Sequence, residues 1–185
     1  MARTTSVLST RVLLVCAAIG VATGVAGGIA GALTPFVIAV AAPFYGLVLG
    51  VHVLPGIIAQ ETLRLPFVAI ITHVIAALVA SAFAFAFAPR FLGTALLFGG
   101  IQELVAAATR YRAWGAWRFF LSGAIIGVLV AVVVFFAAHL SVYAVWVQIL
   151  YLALSVLGPI AWTAVALWIG VGLRRAGVGR PRPQG

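Results

Sequence analysis

The longest uncharged stretch of the chain covers residues 119–173 and reads FFLSGAIIGVLVAVVVFFAAHLSVYAVWVQILYLALSVLGPIAWTAVALWIGVGL. A helix needs roughly 20 apolar residues to cross a bilayer. The stretch holds about 55 residues, so it predicts two membrane-spanning helices joined by one turn. His139, Leu140 and Ser141 interrupt the apolar sequence near its middle, and we place the predicted turn there.

The composition of the whole chain agrees with a membrane protein. Of its 185 residues, 65% are apolar and only 7% are charged, whereas an average soluble domain is roughly 25% charged. This is too little polar surface for a soluble domain, and the high apolar content also excludes a disordered chain. The apolar runs are continuous rather than alternating, which excludes a membrane β-barrel. We therefore expect an all-α integral membrane protein with a single domain over residues 1–185.

Arginines and prolines separate the apolar runs and predict six spans. We expect these spans at about 12–33, 36–59, 66–88, 91–109, 117–138 and 142–173, followed by a flexible Arg/Gly/Pro tail at 174–185. The first run continues well past the length of a signal-peptide core, so we expect it to persist as a helix. With a cytoplasmic N-terminus, this arrangement puts ten of the eleven arginines inside and only Arg90 outside. The positive-inside rule then predicts that both termini are cytoplasmic.

Several residue types are absent from the sequence, and their absence excludes several kinds of catalytic and metal-binding site. The chain has no Lys and no Asp, and Cys16 is its only cysteine. A P-loop, a Schiff-base lysine, an EF-hand and a cysteine-based zinc site are therefore excluded. The sequence shows no metal-ligand spacing and no catalytic triad, and its arginines do not form a face with interleaved aromatic residues. We expect neither an enzyme, nor a metal or cofactor site, nor nucleic-acid binding.

Glu103 is the strongest candidate for a functional residue. It lies near the middle of the fourth predicted span, where a carboxylate costs a few kcal/mol on insertion scales. Gly99 and Gly100 precede it by one turn on the same face and predict open space beside the carboxylate. The alternative is a structural one, in which Glu103 forms an interhelical hydrogen bond or an ion pair with an arginine. The other acid, Glu61, is three residues from Arg64, which favours a local ion pair of little energetic value.

Other polar and aromatic residues could complete a pocket around Glu103. Gln148, Tyr151 and Trp162 share one face of the last span, whereas Trp146 could belong either to the pocket or to an interfacial aromatic belt. The candidate ligand-binding residues are Glu103, Gln148, Tyr151, Trp146, Trp162, His52, Tyr45 and His73. One acid beside aromatic and amide groups suits an organic cation or an aminated heteroaromatic ring.

Small residues recur every four positions in the first span. Gly20, Gly24 and Gly28 form one row, and a second row holds Ala18, Ala22, Ala26 and Ala30. Such rows allow close approach of helix backbones in lipid. They could serve packing inside the bundle, or they could dock a second membrane subunit. The docking candidates are Gly20, Gly24, Gly28, Ala22 and Ala26.

The segment LLFGGIQELV at 96–105, followed by RYRAWG at 110–115, resembles the YkoE family. Its members are the substrate-binding S components of energy-coupling factor (ECF) vitamin transporters. The resemblance implies a ligand, thiamine or its hydroxymethylpyrimidine precursor, and a bacterial cytoplasmic membrane as location. It also implies a transmembrane coupling (T) subunit and two cytoplasmic ATPases as partners, which alone would use ATP. Glu103 matches the family's Glu, whereas His73 stands where the family has a further acid.

These observations lead to the hypothesis of a vitamin-binding membrane subunit. Glu103 would take the aminopyrimidine or the cationic ring, and Trp146, Tyr151 and Trp162 would stack on the ligand. Gln148 and His52 would orient it. The alternative function is a self-sufficient small-cation channel or proton-coupled carrier that uses Glu103 as its proton site.

Overall fold

The computed structural model describes residues 9–179. Within this range the apolar runs form α-helices that are joined by short turns and loops. We number the helices α1 (Thr10–Ala41), α2 (Tyr45–Gly50), α3 (Leu54–Leu63), α4 (Val68–Phe83), α5 (Ala88–Ala108), α6 (Ala116–Ala137) and α7 (Val145–Arg175). Short 3₁₀ turns lie at 42–44, 51–53, 85–87 and 140–142. Within the described residues the predicted all-α class is confirmed, and the chain reverses between α6 and α7 at the predicted turn.

The first helix is longer than the sequence predicted. The Ser9 side chain accepts a hydrogen bond from the Val12 amide and caps its start. The expected end at residue 33 is wrong, because α1 continues through Pro35 to Ala41. Membrane helices tolerate proline within their length. The carbonyl that loses its helical donor is that of Gly31, four residues before Pro35, and the neighbouring Thr34 hydroxyl donates to the Ala30 carbonyl at 2.9 Å.

Several other helix boundaries also differ from the predicted ones, whereas α6 agrees with the expected 117–138 within one residue and α5 ends one residue before the expected 109. The segment expected at 36–59 begins only at Tyr45, after the backbone leaves helical geometry at Ala41, and it consists of α2, a 3₁₀ turn and α3. Helix α4 ends at Phe83 rather than residue 88. Helix α7 extends through Arg175, so the first residues of the tail expected at 174–185 are helical. Positions 180–185 lie outside the described residues.

The helices run back and forth between two ends of the bundle. Gly20 of α1 packs against Ile75 of α4 and Gly28 packs against Phe83, so these helices are parallel. Gly123 of α6 packs against Thr163 of α7 and Gly127 packs against Val156, so this pair is antiparallel. Among the described residues, one end of the bundle carries Arg11, Arg64, Arg110, Arg112, Arg118, Arg174 and Arg175. We call it the arginine-rich end, and the other, which carries Arg90, the Arg90 end.

The surface of the bundle is apolar enough for lipid. Four helical stretches have the length and hydropathy of membrane spans, namely Thr10–Leu63, Phe85–Ala108, Ala116–Ala137 and Val145–Arg175. Helix α4 is apolar as well but has only 16 residues. Large apolar side chains such as Phe85, Leu104 and Trp168 face outward. In water this surface would be strongly unfavourable, and the chain is therefore a multi-pass membrane protein.

Candidate ligand-binding cavity

A cavity of about 360 Å³ lies at the Arg90 end, between α1, the 3₁₀ turn before α3, and α5. Its walls are mainly apolar, with Phe87 and Phe91 as aromatic groups. Four side chains with polar atoms reach it from three segments, namely Thr34, His52, Arg90 and Thr94. Small-molecule sites measure roughly 300–1,000 Å³ and combine apolar walls with a few polar groups. This cavity fits that description.

Arg90 is placed by the start of α5. Pro89 stands in the first turn of this helix, where a missing backbone N–H is tolerated. The Arg90 guanidinium donates a hydrogen bond to the hydroxyl of the buried Tyr45 on α2. That bond fixes one side of the guanidinium while the residue lines the cavity.

Two smaller hollows adjoin the cavity. One, of about 170 Å³, lies toward α6 and shares Leu49, Arg90 and Thr94 with it. The other is an inner hollow of about 20 Å³, which shares His52, Phe91 and Thr94 and reaches His73. Thr94 therefore lines all three spaces, and the His52 and Phe91 rings, 6.1 Å apart between centroids, stand between the cavity and the inner hollow.

A buried polar network closes the inner side of this region. The amide of Gln102 on α5 lies 3.0 Å from His73 Nε2 of α4 and donates to the Val53 carbonyl at 3.1 Å. Gln60 of α3 donates to the Gln102 carbonyl at 3.4 Å. These bonds satisfy polar groups that would otherwise be unpaired in an apolar interior. They hold α3, α4 and α5 together beneath the cavity.

Glu103 does not line any of these spaces. Its carboxylate accepts hydrogen bonds from the Phe67 amide at 3.1 Å, the Ala69 amide at 2.8 Å and the Tyr111 hydroxyl at 3.1 Å. The two amides belong to the start of α4, where the helix dipole favours a negative charge. Of the two glycines expected to leave open space, Gly99 is covered by Ile70 and His73, whereas a Cβ at Gly100 would meet nothing within 4 Å. The structural alternative therefore describes Glu103, which caps α4 from the neighbouring helix.

Tyr111 completes this capping site from the loop after α5. Burial, followed by the negative charge of Glu103 and their hydrogen bond, raises the pKa of Tyr111. The phenol therefore stays protonated at neutral pH and acts as the donor to the carboxylate.

The predicted polar face of the last span does not reach the cavity. Trp162 donates to the Leu47 carbonyl at 2.8 Å, and Tyr151 is buried. Gln148 donates to the Tyr143 carbonyl at 2.8 Å, and Trp146 is exposed at the outside of the bundle. Trp162 packs against α2, a tertiary contact that sequence spacing could not show.

Of the predicted ligand-binding residues, the structure brings three to the Arg90 end. His52 lines the cavity, Tyr45 lines the hollow toward α6, and His73 lines the inner hollow. The sequence analysis missed Arg90 and Thr94 as site residues. Arg90 was treated only as a topology marker, although a single arginine on the outer side was itself a signal.

The two small-residue rows of α1 have different surroundings. Side chains added at Gly20, Gly24 and Gly28 would collide with α4. A Cβ at Gly24, for example, would lie only 2.7 Å from the Ala76 carbonyl oxygen. The prediction that these glycines dock a partner is therefore wrong, because α4 already covers them. Ala18, Ala22 and Ala26 instead line an apolar groove of about 650 Å³ between α1, α3 and α7.

Glu61 forms the predicted ion pair with Arg64, at 3.3 Å. It also pairs with Arg174 at 2.9 Å. The second pair joins the end of α3 to the end of α7, a tertiary contact that local spacing could not predict.

The fold defines a class, a helical membrane protein, and the cavity at its Arg90 end has the size of a small-molecule site. Residues 11–129 match the family described as "ABC-type cobalt transport system, permease component". The match spans more than half of the chain, which therefore belongs to this family. The protein is thus a membrane component of a transport family.

A solved structure shares the fold. It is described as "Crystal structure of an S-component of ECF transporter" and aligns with a TM-score of 0.74 and 18% sequence identity. The alignment covers 91% of this chain and 84% of that chain. No curated protein gives a significant match. The family and the fold support the S-component class that the sequence resemblance predicted.

Proposed function

We propose that the chain is the substrate-binding S component of an ECF importer and binds its ligand in the cavity at the Arg90 end. The observation that carries this proposal is the position of the cavity, with convergent polar groups, in an S-component fold. The proposed ligand is thiamine or its hydroxymethylpyrimidine moiety, as the sequence resemblance implies. Phe91 and His52 offer rings for stacking on a pyrimidine, and Thr34 and Thr94 offer hydroxyl groups.

We further propose six membrane spans, with both termini in the cytoplasm of a bacterial cell. The stretch Thr10–Leu63 has 54 residues, which would extend about 80 Å as a straight helix, far beyond one bilayer. It turns back at residues 42–44 and so supplies two passes. The clustering of arginines at one end supports a cytoplasmic position for that end. The cavity then opens toward the outside, where an imported ligand arrives.

The groove beside Ala18, Ala22 and Ala26 is the proposed docking surface for the T subunit. Its small side chains permit close helix approach, and it reaches Arg11 at the arginine-rich end. Two ATPases on the cytoplasmic side would supply ATP hydrolysis, and the chain itself would act as a binding subunit rather than an enzyme. The channel or carrier alternative has less support, because it needs Glu103 as a proton site. The Glu103 carboxylate already accepts hydrogen bonds from two backbone amides and a phenol.

An organic ligand suits the cavity better than the cobalt in the family's description. The aromatic walls formed by Phe87 and Phe91 favour an organic ring. Within residues 9–179, no group of three or more His, Cys, Asp or Glu side chains lies close enough to hold a metal ion.

Calorimetric titration of the purified protein with thiamine and hydroxymethylpyrimidine tests this function. We expect binding by the wild type. We expect at least tenfold weaker binding by Thr94→Trp, because Thr94 lines the cavity and both adjoining hollows and the larger side chain would fill them. Gly93→Ala is the matched control, because a Cβ there meets open space. Equal affinities for the wild type and Thr94→Trp would contradict the proposed cavity, and absence of binding to both ligands would contradict the proposed ligand.

A further inference from the structure

Arg90 brings a positive charge to the cavity that no acidic side chain of the chain balances. The only acids are Glu61 and Glu103. Glu61 pairs with Arg64 and Arg174, and Glu103 caps α4, so both act at the arginine-rich end. The cavity lining contains threonine, histidine and apolar side chains beside Arg90, but no carboxylate.

The described partner of Arg90 leaves much of its donor capacity free. The Tyr45 hydroxyl accepts one hydrogen bond from Nη2, whereas a guanidinium has five N–H donors in a planar fork. This fork matches the geometry of a carboxylate or phosphate, which it can bind with two parallel hydrogen bonds. Tyr45 is neutral, so it orients the guanidinium without cancelling its charge.

Thr94, Phe91 and His52 line the cavity beside Arg90. Together these residues could hold a ring that carries an anionic group. Arg90 and Thr94 are four residues apart on α5 and therefore lie on the same helix face. Phe91 projects into the same cavity beside His52. A ligand whose ring lies against Phe91 would bring its substituent to Arg90.

We propose that the preferred ligand is an anionic derivative of the proposed compounds, in which an oxyanion, a phosphate ester or a carboxylate, pairs with Arg90, and that thiamine and hydroxymethylpyrimidine themselves bind the same cavity more weakly. The proposal rests on the proposed function and deepens it, because it names the chemical class of the ligand in the same cavity. It also replaces the cationic preference that the sequence suggested, since that preference depended on Glu103 facing the ligand. Tyr45 acts as a positioning residue for Arg90.

Two matched ligand pairs test this proposal in the intact purified protein. The first pair is thiamine and thiamine monophosphate, and the second is hydroxymethylpyrimidine and the same pyrimidine with a carboxylate in place of the hydroxymethyl group. We expect the anionic member of at least one pair to bind the wild type at least tenfold more tightly. The pair that shows the preference distinguishes a phosphate from a carboxylate.

Arg90 variants assign the preference to this side chain. Arg90→Gln should abolish the advantage of the anionic ligand, Arg90→Lys should keep part of it, and Tyr45→Phe should reduce the ratio of the two affinities in each pair. Thermal unfolding checks that each variant is folded. Titrations in nanodiscs with and without an anionic phospholipid separate ligand binding from pairing of Arg90 with a lipid phosphate.

The outcomes separate failure of this proposal from failure of the proposed function. Equal or weaker binding of both anionic members, or a preference that survives in Arg90→Gln, overturns the oxyanion proposal while thiamine binding still supports the S component. A preference that disappears in nanodiscs with anionic lipid assigns Arg90 to the membrane and also overturns it. Failure of folded wild-type protein to bind any of the four compounds overturns both.

Discussion

Glu103 shows what the sequence can and cannot establish about a single residue. A carboxylate inside an apolar span must find donors or pay a large desolvation penalty, so its importance was predictable. Its partners were not, because the Phe67 and Ala69 amides lie more than thirty positions away in sequence. Glu103 binds the start of a helix, which offers the same kind of N–H donors that a ligand could have offered.

The capping role of Glu103 predicts a stability effect without an effect on ligand affinity. Glu103→Gln replaces one acceptor oxygen by an NH₂ group and leaves a buried donor unpaired, at a cost of about 1–3 kcal/mol. We expect a lower unfolding temperature for Glu103→Gln in detergent, with the affinity of the folded fraction unchanged. Leu104→Ala is the control, since Leu104 is exposed on the same helix. An unchanged unfolding temperature with a tenfold loss of affinity would instead place Glu103 in the ligand site.

At the scale of a helix, α1 shows why a periodic pattern does not determine its own partner. Both of its rows consist of small residues, and lipid is as apolar as the protein interior, so hydrophobicity does not distinguish a packed face from a lipid-facing one. The structure separates the rows by packing the glycines against α4 and leaving Ala18 and Ala22 at the groove. Helix ends were also hard to predict, because Pro35 is accommodated inside α1 rather than ending it.

A leucine introduced into either row of α1 should affect a different property of the protein, namely its stability in the glycine row and its partner binding in the alanine row. Gly24→Leu places atoms against the Ala76 carbonyl and Val79, both 2.7 Å from a Cβ, and should destabilise the bundle by about 1–3 kcal/mol. Ala22→Leu faces the groove and should leave the unfolding temperature unchanged while reducing co-purification with the T subunit. Full co-purification of Ala22→Leu would place the docking surface elsewhere. An unchanged unfolding temperature for Gly24→Leu would contradict the packing of α1 on α4.

At the scale of the whole molecule, the sequence predicted the class and the distribution of charge better than it predicted the site. Continuous apolar runs and the placement of the arginines are properties of the chain itself, and both reappear in the bundle. The cavity is different, since Thr34, His52 and Arg90 come from three separate segments and meet only after folding. The sequence singled out His52 as a candidate and Arg90 only as the single arginine expected outside, whereas nothing in the local sequence distinguishes Thr34.

The proposed orientation of the molecule predicts which connections are accessible from outside the cell. Ala86→Cys lies between α4 and α5 at the Arg90 end, and Arg112→Cys lies in the loop after α5. With a membrane-impermeant maleimide we expect labelling of Ala86→Cys in intact cells and of Arg112→Cys only after permeabilisation. The wild type is the control, because Cys16 is fully buried. Labelling of Arg112→Cys in intact cells would invert the proposed topology.

The most direct test of the binding-subunit account is native mass spectrometry of the protein purified from cells grown with thiamine. The wild type and Gly93→Ala should each carry one bound small molecule, and Thr94→Trp, although folded, should carry none. Retention of the same molecule by folded Thr94→Trp, or its absence from the wild type, would contradict a ligand cavity at the Arg90 end.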